Sequence, residues 1–218
     1  MKRIKEEFLE KLSTVILLNE KEVLEVGCGE GMRSVMIAKR CKSLVAIDPD
    51  VELIKKAVLE NKAQNINYSV GSASLLSFGD NRFDAIIFTL SFHHVPKNEM
   101  NKSIDEAIRV VRKDGYIVFL EPEFEGTLFE SEIIFDAFDG DERKEKSIAY
   151  YVMLNHPGLE EVAEMRDETI WKFDSDKDFI DSIHPKRNLD KLGAFLVRNN
   201  YILQASRRIN IFKPKASS

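Results

Sequence analysis

The sequence predicts an α/β fold built on a doubly wound, mostly parallel sheet. Three observations carry this reading: short apolar segments lack polar alternation, they alternate with segments of helical period, and a glycine-rich turn follows the first of them. A strand covered by helices on both faces reads as a continuous apolar run, because neither face meets water.

Met1 to Leu18 reads as an amphipathic helix, with Ile4, Phe8, Leu12, Val15 and Ile16 at helical spacing. Glu22 to Val26 is the first strand and runs straight into Gly27-Cys28-Gly29-Glu30-Gly31. Met32 to Lys39 resumes helical spacing. Ser43 to Ile47 is a second strand, ended by Asp48-Pro49-Asp50. Val51 to Asn61 is a helix through Ile54, Ala57 and Val58, and Ile66 to Val70 a third strand. Phe83 to Thr89 is the fourth strand, Asn98 to Val111 a helix, and Tyr116 to Leu120 the fifth strand after an Asp114-Gly115 turn.

The rhythm then breaks. Phe124 to Met165 reads as two or three inserted helices, interrupted by Gly140 and Pro157. Glu168 to Asp174 alternates, with Thr169, Trp171 and Phe173 on one face, as in a half-buried strand. Asn188 to Asn199 is a helix, Tyr201 to Phe212 a long final strand, and Lys213 to Ser218 a frayed tail. The expected architecture is thus a seven-stranded sheet in a single domain over residues 1–218. An N-terminal helix occupies 1–19 and a helical insert or lid 124–166.

At 218 residues, 44% hydrophobic and 32% charged, the chain can bury a core without staples. Two cysteines, Cys28 and Cys41, exclude a disulfide scaffold and a four-cysteine zinc site. The longest apolar run, Ile148 to Leu154, is too short to span a membrane, and the charged N-terminus lacks a secretory signal core. The expected location is cytoplasmic. The net charge of −5 is uneven: residues 121–181 carry −13, whereas 182–218 carry +7. The acidic stretch disfavours a nucleic-acid partner, since it repels phosphates.

The glycine turn is the informative site. In an open parallel sheet, ligands sit beyond the carboxyl ends of the strands, where the strand order reverses. Gly27, Gly29 and Gly31 permit close backbone approach there. Glu25 places a carboxylate in an apolar strand, which is costly unless hydrogen-bonded. Asp48 falls at the end of the second strand, where a carboxylate meets a ribose diol. Together they read as an adenosine-type site. The dinucleotide fingerprint would need a glycine where Met32 stands, so the turn favours a ligand without a pyrophosphate.

Val23 to Gly31 resembles the first motif of the class I S-adenosylmethionine-dependent methyltransferases. Ala46-Ile47-Asp48-Pro49 resembles their acidic motif, Gly71 to Phe78 their adenine loop, and Phe83 to Val95 the fourth motif of the small-molecule branch. Ala107 to Tyr116 resembles the unit before strand five, so the likeness covers residues 20–122 in order. The resemblance implies a Rossmann-like fold whose last strand is antiparallel. It also implies S-adenosylmethionine as cofactor, S-adenosylhomocysteine as product and a small-molecule acceptor. By the same resemblance, Gly27, Gly29 and Gly31 wrap the methionine part, with Glu25 supporting the loop. Asp48 takes the ribose hydroxyls, Pro49 packs on adenine, Ser72 and Ala73 read its edge, and Thr89 and Leu90 underlie the methionine. Ser72 departs from the family's common Asp, and a neutral hydroxyl holds the adenine amine less strongly.

His93 and His94, past strand four, and Glu121, ending strand five, are the candidate catalytic groups. No metal site is expected: the two histidines are adjacent, and His156 and His184 are remote. The insert aromatics Phe124, Phe129, Phe135, Phe138, Tyr150 and Tyr151, with Met153, are candidates for an acceptor pocket, and Trp171 for core or a dimer contact. Two rival readings remain, a nicotinamide-dependent oxidoreductase and a non-catalytic binder of the cofactor or its demethylated product.

Overall fold

The computed structural model describes residues 1–215, and its strands form one eight-stranded sheet. In chain order these are β1 (Lys2–Glu6), β2 (Glu22–Val26), β3 (Ser43–Asp48), β4 (Ile66–Val70), β5 (Phe83–Thr89), β6 (Val111–Pro122), β7 (Leu159–Lys172) and β8 (Ile202–Pro214). The helices are α1 (Phe8–Leu12), α2 (Ser34–Ala38), α3 (Val51–Glu60), α4 (Met100–Val110), α5 (Thr127–Phe135), α6 (Arg143–Asn155), α7 (Asp176–Ile183) and α8 (Leu192–Arg198).

The sheet order is β1-β7-β8-β6-β5-β2-β3-β4. The five strands from β6 to β4 are parallel, and β8 runs antiparallel to β6, as expected of the final strand. β2 pairs with both β3 and β5, so the strand order reverses between β2 and β5, and this is the switch point where ligands bind.

Alternation along each parallel strand feeds two separate cores. Leu24, Val26, Ile86, Phe88, Ile117 and Phe119 face α4 and α6, while Val23, Ala85, Ile87, Val118 and Leu120 face α1, α2 and α3. A third cluster joins α5, α7 and α8 to the ends of β7 and β8 through Phe135, Phe179, Phe195 and Leu203.

The structure corrects four expectations. The N-terminal helix over 1–19 is instead β1 followed by the one-turn α1, which gives eight strands rather than seven. The edge of β7 offers unpaired backbone groups, and β1 takes them in an antiparallel pairing. Phe8, Leu9 and Leu12 keep the helical stripe in α1. The insert ends at α6, so it holds two helices, and Met165 lies in β7. Pro157 and Gly158 stop the helix there, and the long β8 templates β7 along its whole length. α7 was not expected, although Ser175 caps it by accepting from the Asp178 N–H at 3.1 Å, a legible start signal. Finally, Lys213 and Pro214 belong to β8 rather than to a frayed tail, whereas residues 216–218 lie outside the described residues.

Phe119 anchors the aromatic centre of the first core. It is fully buried, stacks on Phe88 at 4.8 Å and touches the rings of Phe92 and Phe212. Phe119→Ala should cost ~3–5 kcal/mol of stability, because the cavity left behind cannot collapse between packed rings. Urea unfolding of the two proteins checks this, and a loss under ~1 kcal/mol would show that the ring is dispensable.

Candidate active site

The carboxyl ends of β2, β3 and β5 meet at the glycine turn. Gly27 adopts φ +75, and a Cβ there would stand 2.1 Å from the Ser91 Cβ. Gly29 adopts φ +53, and a Cβ there would meet no protein atom within 4 Å. The first glycine is therefore demanded by protein packing, and the second leaves room in the cavity that it lines.

Glu25 lies wholly buried beneath this turn. Its Oε2 accepts from the Ser34 hydroxyl at 2.5 Å and its Oε1 from the Thr89 hydroxyl at 2.9 Å. Burial pushes its carboxyl pKa up, and the two hydroxyls pull the other way. Asp48 faces the cavity from the end of β3. Its Oδ2 accepts the Gly29 N–H at 2.9 Å and its Oδ1 the Asp50 N–H at 2.9 Å. Each oxygen keeps further acceptor capacity for a ligand.

These residues open on one cavity of about 510 Å³. Gly27, Gly29, Asp48, Thr89, Leu90, His93 and His94 all line it. Leu90 holds φ +57, a strained conformation for a leucine, at the point where β5 gives way to the cavity floor. Pro49 and Ser72 are exposed outside the lining, and Ala73 packs against the first core. The Ser72 hydroxyl is paired with that of Ser74 at 3.2 Å.

His93 and Glu121 are brought together. The His93 Nδ1 bonds the Glu121 carboxylate, whose Oε1 also accepts the Phe92 N–H at 2.9 Å. Glu121 lies behind the histidine rather than on the cavity wall. On the cavity side a second carboxylate, Glu142, stands 3.6 Å from His93 Nε2 and 3.4 Å from His94 Nδ1. Burial disfavours the His93 imidazolium, but Glu121 and Glu142 outweigh it and raise the pKa to about 9. His94 moves the other way: burial and the charge on His93 lower it. Glu142 is held down at about 2, since the two histidines and Lys146 overcome its desolvation.

Sequence spacing gave no carboxylate for a metal site at the two histidines. The fold supplies Glu142 from the loop before α6, and His93, His94 and Glu142 place ligand atoms within 4.8 Å of one another. The same three groups already balance as ion pairs, with Lys146 3.5 Å from Glu142. Of the aromatics expected over the acceptor pocket, Phe138 lines the cavity, whereas Phe135 and Met153 are core and Tyr151 is exposed. Trp171, expected in core or a dimer contact, packs against the third core cluster and also lines the cavity beneath the Arg3 guanidinium at 4.9 Å. Sequence reasoning missed Arg3, Arg33, Arg207, Glu142 and Lys146. Arg207 had a signal, since a charged residue within a long apolar strand needs a partner.

Residues 24–119 match the methyltransferase domain family. An uncharacterized methyltransferase of Staphylococcus carnosus is 27% identical over 127 residues, covering 58% of this chain and 59% of the relative. A ubiquinone/menaquinone biosynthesis C-methyltransferase of Rickettsia prowazekii is 32% identical, covering 54% of this chain and 49% of the relative. The chain thus spans about half the length of the curated relatives it matches. A candidate methyltransferase structure from Bacillus halodurans superposes with a TM-score of 0.66 at 20% identity, covering 95% of this chain and 99% of the other. Residues 24–119 are thus similar to the methyltransferase domain family, and the fold of the chain is that of the Bacillus halodurans structure. Among the described residues, no helix is long and apolar enough to cross a membrane.

The raised pKa of His93 has a stability consequence. Its contribution is fully present below the free imidazole value near 6.5 and is lost as pH rises through about 9. The size is on the order of 3 kcal/mol, at roughly 1.4 kcal/mol per unit. The parent protein's urea midpoint should fall from about pH 6 to about pH 9.5, and His93→Gln should flatten that fall. An unchanged fall in the variant would remove His93 as its source.

Proposed function

We propose that this protein transfers a methyl group from S-adenosylmethionine to a small-molecule acceptor. The observation that carries the reading is Asp48 beside the glycine turn at the switch point, on the same cavity as His93 and His94, whose pKa values are pushed in opposite directions.

The residues fit the cofactor. A cavity of about 510 Å³ is of the size that holds a small organic ligand. Asp48 would accept from the ribose hydroxyls, Gly27 and Gly29 would border the methionine part with Gly31 packed on Tyr68 outside the cavity lining, and Thr89 and Leu90 would underlie it. Glu25 would hold the turn from below. Pro49, Ser72 and Ala73 would serve at the adenine rim, where Ser72 must exchange its Ser74 partner for the base. When bound, the cofactor supplies a methyl already activated on sulfonium.

The chain's own residues then align the acceptor, exclude water and move a proton. Neighbouring groups pushed to opposite pKa values divide acid and base roles. His94, neutral and half exposed, is the base that takes a proton from the acceptor. His93 stays charged, and Glu121 positions it. A hydroxyl acceptor and a carbon acceptor, the latter named for the Rickettsia relatives, both lose a proton and so both use this base. A nicotinamide-dependent oxidoreductase fits less well, because Met32 stands where the dinucleotide turn needs its third glycine. A non-catalytic binder would leave the His93–His94 pair without a task.

Calorimetric titration with S-adenosylhomocysteine should show binding, and a parallel titration with NAD should not. Asp48→Asn removes a charged acceptor at similar shape and should weaken S-adenosylhomocysteine roughly 10- to 100-fold. Absence of binding to the parent protein would overturn the reading, as would an unaltered affinity in Asp48→Asn.

A further inference from the structure

Three arginines from distant parts of the chain converge at the β1–β7–β8 end of the cavity. Arg3 comes from β1, Arg33 from the start of α2, and Arg207 from β8. They share two carboxylates. Glu6 pairs with Arg3, with Arg33 Nε at 3.1 Å and with Arg207 Nη1 at 2.9 Å, while Asp167 pairs with Arg207 alone. Three cations thus face two anions. The placement is also one-sided: all three arginines line the cavity, and neither Glu6 nor Asp167 does.

The cluster is short of partners. Arg3 Nε, Arg207 Nε and Thr169 Oγ1 are buried polar atoms without a partner, as is Asp167 Oδ1 behind them, and Thr169 and Arg207 are each at least nine-tenths buried. Among the described residues, Arg33 uses only its Nε, so its two terminal nitrogens remain free donors. Thr169 stands on the same face of β7 as Asp167, which pairs in register with Arg207. Mutual repulsion adds to the shortage: burial and the neighbouring cations lower Arg3 and Arg33 to about 10. Carboxylates line the cavity elsewhere, at Asp48, Glu132, Asp139 and Glu142, but this end of it presents arginines with unpartnered donors, which suits an anion.

We infer that this cluster is a carboxylate subsite for the methyl acceptor, so that the acceptor is an organic acid whose anionic group sits against Arg3, Arg33, Arg207 and Thr169. The inference rests on the methyltransferase reading and names its substrate class. A carboxylate could also come from the amino-acid end of the cofactor. Arg33, two residues past the Gly31 of the turn, is within reach of either carboxylate, but the strands that carry Arg207 and Thr169 favour the acceptor. Arg207 is on β8, three strands from the β2 that carries the glycine turn, and Thr169 is on β7, four strands away. At ~4.8 Å per strand these separations are roughly 14 and 19 Å. Trp171, on the same face of β7 as Thr169, offers a flat apolar surface beside the anion site.

The probe pair is benzoate and its neutral analogue benzamide, titrated into the full chain with and without saturating S-adenosylhomocysteine. Trp171 is the single tryptophan, so its fluorescence reports occupancy directly, and calorimetry gives the affinity. Benzoate should bind at least about tenfold more tightly than benzamide and should shift the Trp171 emission, since a charged hydrogen bond is worth about that factor. Arg207 secures two buried carboxylates, and its replacement risks the fold. The test variants are therefore Arg3→Met and Thr169→Val, each checked for a native circular dichroism spectrum. Arg3→Met should weaken benzoate about tenfold or more and Thr169→Val about threefold or more, with S-adenosylhomocysteine affinity unchanged.

Equal binding of benzoate and benzamide would overturn the subsite. So would variants that weaken S-adenosylhomocysteine while sparing 5′-methylthioadenosine, which lacks the carboxylate, because the anion would then be the cofactor's. If the parent protein binds benzoate but not S-adenosylhomocysteine, the methyltransferase reading fails and the anion subsite stands.

Discussion

A carboxyl group with no exposure to water, Glu25, sits at the carboxyl end of β2, and the ligand edge is arranged around it. Burying such a group is costly unless donors meet both oxygens. Ser34 meets one from the first turn of α2, and Thr89 meets the other from the last residue of β5. One side chain therefore ties together the helix after the glycine turn and the strand across the switch point. The turn between them is pinned from its other side by Ile47, whose carbonyl accepts the Gly27 N–H at 2.8 Å and the Cys28 N–H at 3.0 Å. The position of the Gly29 amide, and with it the orientation of Asp48, follows from these constraints.

The cavity is polar at both ends for different reasons. At the β5 end, two neighbouring imidazoles are pushed apart: two carboxylates raise the pKa of His93, while burial and the charge on His93 lower that of His94. At the β7–β8 end, carboxylates lie behind the arginines and leave cations on the wall. The imidazoles and the arginines are thus placed apart, with the glycine turn between β2 and α2 bordering the same space.

Much of the parallel half was legible because its signals are local. The strands β2, β4 and β5 coincide with their apolar runs, and the glycine turn and Asp48 announce the ligand edge by composition alone. What was missed depends on pairing across the chain. Residues 1–18 have genuine helical period, and α1 keeps it in Phe8, Leu9 and Leu12. The extended form of Lys2–Glu6 is won by the β7 edge, with Arg3 over Trp171 and Glu6 among arginines. No local pattern announces that contact, since Arg207 and Glu6 are 201 residues apart in sequence. Glu142 was invisible as a site residue for the same reason: it reads as one charge in an acidic stretch until α6 packs over the histidines.

The family match ends at residue 119, and the boundary has a physical meaning. Within it lie the glycine turn, Asp48, Thr89 and both histidines. Outside it lie Arg3, Glu142, Thr169, Trp171 and Arg207 on the cavity wall, and Glu121 behind His93. The conserved architecture of such folds supplies the ligand edge, and the elements appended to it decide what else enters. Here those elements are an edge strand at the chain's start, two inserted helices and two long antiparallel strands at its end. Their side chains make charge contacts with one another rather than with the glycine turn, Arg33 excepted. The match therefore covers the glycine turn and not Arg3, Thr169, Trp171 or Arg207, so a relative's substrate does not transfer with it. Substrate identity has to be read from the arginines, the threonine and the tryptophan that this chain itself places on the cavity wall.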